Sequence, residues 1–144
     1  MRRVQKKVSN PSIRRSCGGF SPKIHGACDA LGNPIRCLLT GGEAAECTQA
    51  LTLLHGMEAK DILADKGYDA DYVVKAGEFI GAEVVIASKS NRKNPRNFDK
   101  VLYRERNLIE RMFNKIKNFR RVATRYDKTA SSYLAFVVVA GICL

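Results

Sequence analysis

The sequence predicts an α/β layered domain, and three observations carry that prediction. Two short strand-like stretches flank a Leu31-Gly32-Asn33 turn. The apolar run Val84-Val85-Ile86 lies between two helical patterns. Residues 103–128 then space their apolar side chains as an amphipathic helix does. Two strands followed by alternating helices and strands give helices layered on a sheet. At 144 residues the chain is one domain with room for a single core.

Residues 1–21 are basic, rich in Ser, Gly and Pro, and lack periodicity, so they are expected to form an arm. Residues 23–30 and 34–40 are expected to pair as a hairpin, because Gly32 and Asn33 suit a turn with positive φ. Gly41-Gly42 ends the second strand; the pair is too sparse for a phosphate loop and reads as an ordinary turn. From residue 43 to about 55, Ala44, Cys47, Leu51 and Leu54 are spaced to bury one helix face. Residues 60–66 form a short strand in which Ile62-Leu63-Ala64 ends on Asp65, and Gly67 closes it. Residues 71–80 form a second helix with Val73, Val74, Ala76 and Phe79 as its apolar side. Residues 82–87 read as a buried, parallel-type strand. Residues 88–99 are a polar, basic linker. Thr129 is placed to cap a last helix running into the apolar C-terminal stretch.

The long helix from residue 103 sorts its residues sharply. At about 100° per residue, Tyr103, Arg106, Glu110 and Lys117 fall in a stripe roughly 60° wide. Leu102, Ile109, Met112, Phe113 and Ile116 form an apolar face beside it. Glu110 therefore sits on the border of the buried face, with Arg106 one turn before and Lys117 two turns after. Asp65, at the C-terminal end of a strand, lies where α/β folds place ligand sites. Two carboxylates around a shared pocket suit Mg²⁺ or Mn²⁺, hard cations that prefer oxygen. The same residues also have plainer readings: Asp65 as a turn residue before Gly67, and Glu110 as a surface ion pair with Arg106.

The charge of +11 is uneven. The first fifteen residues carry six basic side chains and no acid. Residues 16–88 carry five basic and ten acidic, and residues 89–128 fourteen basic and four acidic. Basic ends around an acidic middle point to a polyanion, nucleic acid before a merely solvated face. Few aromatics are arrayed for base stacking, which argues against an RNA platform. The five cysteines have no CxxC spacing and the only histidines are His25 and His55, which argues against a zinc module and a secreted disulfide framework. Residues 1–19 lack the apolar run of a signal peptide, and the longest apolar stretch, residues 133–144, is too short to span a bilayer. The chain is expected to be cytoplasmic.

Tyr103, Arg106, Glu110 and Lys117 stand as Y-x2-R-x3-E-x6-K, which resembles the signature of the DDE transposases of bacterial insertion sequences. LADKGYDA at residues 63–70 resembles that family's segment with the second catalytic Asp. Residues 18–42 are similar to its early hairpin, and NFRRVATRYDK at 118–128 to its basic continuation. The resemblance implies an RNase H-like mixed sheet with flanking helices. It implies Asp65 and Glu110 as catalytic carboxylates and ligands of Mg²⁺ or Mn²⁺. Tyr103, Arg106 and Lys117, with Arg120 and Arg121 of the basic continuation, would contact transposon-end and target DNA. The implied reaction is metal-dependent DNA strand cleavage and transfer. In that family the first Asp precedes the hairpin, but residues 1–17 contain no acid, and Asp29 beside the turn reads as a turn residue. Residues 18–144 are therefore expected to be a partial catalytic domain lacking its first strand, behind a basic arm at 1–17. A second copy or an N-terminal partner chain is the expected protein partner. Such a chain would be inactive alone, or a non-catalytic DNA-binding remnant.

Overall fold

The computed structural model describes residues 22–124 and 126–144, with the backbone of Arg15–Ser16 and Gly19–Phe20. Strand β1 (Arg15–Ser16) pairs antiparallel with β2 (Gly19–Phe20), a ladder that the patternless arm sequence did not signal. The rest of the arm lies outside the described residues.

Strands β3 (Pro22–Cys28) and β4 (Pro34–Gly41) form the expected antiparallel hairpin. Asp29 builds its turn: Oδ1 accepts from the backbone N–H of Leu31 at 2.9 Å and of Asn33 at 2.8 Å. Gly32 takes the left-handed backbone, φ 84°, that a Cβ would disfavour. Strands β5 (Asp61–Ala64) and β6 (Glu83–Ile86) pair in parallel through the right kind of crossover, helix α2 (Asp71–Phe79).

The α/β class stands, and its strands are both antiparallel and parallel. Among the described residues the antiparallel hairpin and the parallel pair are separate two-stranded ladders. Each of β3 and β5 keeps one edge without a ladder partner there. Side chains rather than a ladder join the two halves. Arg36 of β4 donates through Nη1 to the carbonyls of Thr52, Leu53 and His55 at 2.7–2.8 Å. It thereby satisfies the orphan carbonyls at the end of α1 (Ala50–Leu54). Lys23 of β3 pairs with Glu46 at 2.9 Å.

Two expected helices are altered. The helix of residues 43–55 is a 3₁₀ turn, Glu46–Gln49, followed by α1. The tighter winding rotates the buried face, so Ala50 and Leu53 are buried and Leu51 is 51% exposed. On α2, Val73 and Gly77 are buried, whereas Phe79 is 92% exposed. A Cβ on Gly77 would lie 2.3 Å from Val84 Cγ2, so the helix rests on the strands at the glycine and turns Phe79 outward.

The long helix is also broken, into α3 (Lys100–Arg104) and α4 (Asn107–Lys117). Across the break the backbone N–H groups of Glu105, Arg106, Leu108 and Ile109 each bond to the carbonyl three residues back. This is a 3₁₀-type joint. A short α5 (Arg120–Ala123) and a final α6 (Ala130–Ile142) follow. The main core lies where α4 and α6 cover the hairpin. Met112, Ile116, Val122, Tyr133, Val137 and Ala140 are buried there against Ile24, Cys37 and Leu39. Ala50, Val73 and Ile86 form a smaller core under α1 and α2. No helix among the described residues is long and apolar enough to cross a membrane.

The Thr129 hydroxyl accepts from the backbone N–H of Ser132 at 3.2 Å, the expected cap of α6. Thr129→Ala should therefore cost about 1 kcal/mol of stability, read as a lower midpoint in urea with an unchanged slope.

Candidate active site

Asp65 directly follows β5 and begins the 3₁₀ turn Lys66–Tyr68, where its Oδ1 accepts the Lys66 backbone N–H at 2.7 Å. That bond leaves Oδ2 facing away from the turn and toward the joint between α3 and α4. There Arg106 Nη1 lies 3.7 Å from Asp65 Oδ2 and 2.9 Å from Glu110 Oε1. Two carboxylates from elements 45 positions apart in the chain thus converge on one cationic nitrogen. Both are half-exposed, at 49% and 54% of their side-chain surface, so solvent reaches the pair.

The 3₁₀ joint makes the convergence. Because α3 packs on β5 and β6, Tyr103 is carried to the strand ends, and Arg106 follows within the joint rather than on a straight helix. The Arg106 guanidinium stands over the Tyr103 ring, 5.4 Å from its centroid. Burial pushes the Tyr103 phenol up; the Arg106 guanidinium opposes the rise and the Asp65 carboxylate adds to it. The neutral phenol is the form favoured at neutral pH, a hydrogen-bond donor beside the Asp65 carboxylate. Arg106 Nε is buried and has no hydrogen-bond partner among the described residues.

Glu110 also lines an open cleft of about 720 Å³ with Pro22, Ile24, Phe113, Lys117 and Tyr133. Lys117 therefore shares a wall with Glu110, though it stands apart from Asp65. Arg120 and Arg121 lie beyond the end of α4, outside the cluster. Both are exposed and ordered on aromatic rings: Arg120 stacks near Tyr126 at 5.8 Å and Arg121 on Phe136 at 4.5 Å. Tyr103, Arg106, Glu110 and Asp65 are thus gathered in one place, Lys117 adjoins them, and the arginine pair does not.

Glu46 was not singled out in the sequence, yet it faces the same turn. Burial pushes the Tyr68 phenol up to about 12, and the Glu46 and Asp65 carboxylates both add to the rise. Asp69 was missed as well: it is buried, and its partners come from the linker after β6. No group of three or more His, Cys, Asp or Glu side chains placed to hold a metal occurs among the described residues.

The family model described as the transposase DDE domain matches residues 4–143. A protein of Brucella ovis, named as a transposase for the insertion sequence element IS6501, is 37% identical over 123 residues. That match covers 84% of this chain and 95% of the relative. A second, named as a transposase for the element IS402 of Burkholderia cepacia, is 29% identical over 147 residues, 94% of this chain. The chain spans 65% of that relative's length. No solved structure matches.

Proposed function

The chain belongs to the DDE transposases of insertion sequences, and from that premise we propose that it binds DNA and contributes Asp65 and Glu110 to metal-dependent strand cleavage and transfer. The observation that carries this reading is the convergence of both carboxylates on Arg106 Nη1. A place that holds one cation between two carboxylates suits another of higher charge.

The residues fit one hard cation. Asp65 and Glu110 offer oxygen donors, and Mg²⁺ is commonly held by one or two carboxylates with water and substrate phosphate filling the other positions. When bound, such an ion activates a water or hydroxyl and stabilises the leaving oxygen of a phosphodiester. The chain's own side chains do the rest. Tyr103 and Arg106 hold the DNA end against the carboxylates, and Lys117 grips a phosphate along the cleft wall. Arg120 and Arg121 extend the basic track beyond α4.

The RNase H-like sheet also belongs to this proposal. In this reading the antiparallel hairpin and the parallel pair are two parts of such a sheet, and among the described residues β3 and β5 each keep one edge without a ladder partner. A strand between them would carry a further carboxylate, supplied by a second copy or an N-terminal partner chain. Acting by itself in the cytoplasm, the chain would bind DNA without completing transposition. Incubating the purified chain with supercoiled plasmid and Mn²⁺ should give retardation of the plasmid but no nicking. Turnover that Glu110→Gln abolishes would overturn the incomplete-site reading. The second reading, a non-catalytic remnant, is favoured by the absence of a third converging carboxylate among the described residues. It requires plasmid retardation with no Mn²⁺ bound at Asp65 and Glu110.

Arg106→Ala and Lys117→Ala should weaken duplex binding more than Lys60→Ala, each flattening the salt dependence by about one unit for the phosphate contact removed. Equal effects from all three would reduce the interaction to diffuse attraction.

A further inference from the structure

The linker of residues 88–99 is polar and adds no side chain to either core among the described residues, yet it is tied down by buried charge. Asp69, whose side chain is 1% exposed, accepts the Lys89 backbone N–H at 2.9 Å and Arg92 Nη1 at 2.9 Å. Arg96 donates to the same oxygen, and both arginines also reach Asp71 Oδ1. The Ser88 hydroxyl accepts the Arg96 backbone N–H at 2.8 Å, closing the segment on itself. Burial pushes the Asp69 carboxyl up, but the Lys89 N–H and the two guanidiniums outweigh it, so the group stays charged.

Placing a charge out of water is a poor way to gain stability. A buried ion pair costs several kcal/mol per ion in desolvation, and apolar substitutes are often as stable. Such a network can instead fix where a segment lies. Here the position is informative. The segment leaves the carboxyl end of β6, and its last residues bring Phe98 edge-on to the Tyr103 ring, centroids 5.1 Å apart. At its other end it hangs from Asp69, four residues beyond Asp65. It is therefore a strap across the strand ends that carry the candidate site. Within it, Arg92 and Arg96 are neutralised by Asp69 and Asp71, whereas Lys89 and Lys93 make no ion pair among the described residues.

We infer that this strap is a DNA-backbone contact, with Lys89 and Lys93 as its phosphate-binding side chains and Asp69 as the positioning residue that holds it at the site. The inference rests on the DNA-binding reading above and adds a surface to it.

The test uses the full chain and a fluorescent DNA duplex titrated at several salt concentrations. Replacing both Lys89 and Lys93 with Ala should lower the salt slope by about two units. The paired control, Lys60→Ala with Lys75→Ala, removes two exposed lysines away from the strap and should leave most of the slope. Asp69→Asn separates geometry from charge. It removes a negative charge and leaves the two arginines paired with Asp71 alone, so diffuse attraction alone would bind DNA more tightly. The strap inference expects the opposite: about tenfold weaker binding at fixed salt, with thermal melting showing a folded protein at the assay temperature. Should Asp69→Asn not fold, Asp71→Asn provides the second variant, since that side chain is 73% exposed and its loss should weaken binding in the same direction. A wild-type chain that does not bind duplex DNA would overturn the DNA reading itself. A wild type that binds with a steep slope, while the lysine variants match their control or the folded aspartate variants bind equally well or more tightly, would overturn the strap alone.

Discussion

Asp65→Asn is expected to remove Mn²⁺ binding, measured by water-proton relaxation on the chain without DNA, and Glu110→Gln is expected to do the same. Each change keeps the shape of the side chain and takes away one of two anionic ligands. Partners that only orient a ligand are worth roughly 10–100-fold in metal affinity, so loss of a ligand should exceed about 100-fold. The arrangement makes the two residues equivalent in this assay although they sit on different elements. Asp65 is fixed by its own turn through Lys66, while Glu110 is fixed through α4, whose Met112 and Ile116 are buried under α6. Asp61→Asn, at the other end of β5, is the control and should change nothing. Mn²⁺ binding that survives either site substitution would sink the metal-site reading and leave the non-catalytic one.

The parts of this fold that were legible in the sequence are those specified by near neighbours. The hairpin follows from Asp29, Gly32 and Asn33, whose bonds span no more than four positions. Strand β6 follows from Val84-Val85-Ile86, and the start of α6 from Thr129 and Ser132. What was not legible depends on small changes of winding or on distant partners. The joint at Glu105 and Arg106 keeps every residue near helical geometry, so the apolar spacing passes through it unmarked. Phe79 looked buried because periodicity cannot show that Gly77 is the point of closest approach. Asp69 takes partners 20 to 27 positions away, beyond any local pattern. The candidate site itself was legible through the spacing of Tyr103, Arg106, Glu110 and Lys117. Its cause is different from the one that spacing suggests. A straight helix would align these residues as a stripe, whereas the 3₁₀ joint turns Tyr103 and Arg106 in toward Asp65.

That difference produces the last expected result: Arg106→Ala should tighten Mn²⁺ binding and weaken DNA binding in the same protein. The guanidinium now lies between the carboxylates, 2.9 Å from one and 3.7 Å from the other, where a divalent cation would compete with it. Two unit charges 4 Å apart interact by about 4 kcal/mol near a protein surface, and exposure of both carboxylates reduces this further. A gain of about tenfold in Mn²⁺ affinity, roughly 1.4 kcal/mol, is a reasonable expectation after that screening. DNA gives the guanidinium somewhere else to go. Its Nε is buried without a hydrogen-bond partner among the described residues, and one Nη1 serves both carboxylates, whereas the two non-bridging oxygens of a phosphate can accept two parallel N–H donors at once. In the wild type, then, DNA that draws Arg106 away from Asp65 and Glu110 should raise Mn²⁺ affinity, and Mn²⁺ should raise DNA affinity by the same factor. Arg106→Lys should keep the charge competition but lose the bidentate grip, giving weak DNA binding without tighter Mn²⁺ binding. Parallel Mn²⁺ titrations with and without duplex separate these cases. If Arg106→Ala binds Mn²⁺ no more tightly than wild type, or if DNA leaves wild-type Mn²⁺ affinity unchanged, Arg106 is a structural brace between two carboxylates and no exchange of cations occurs.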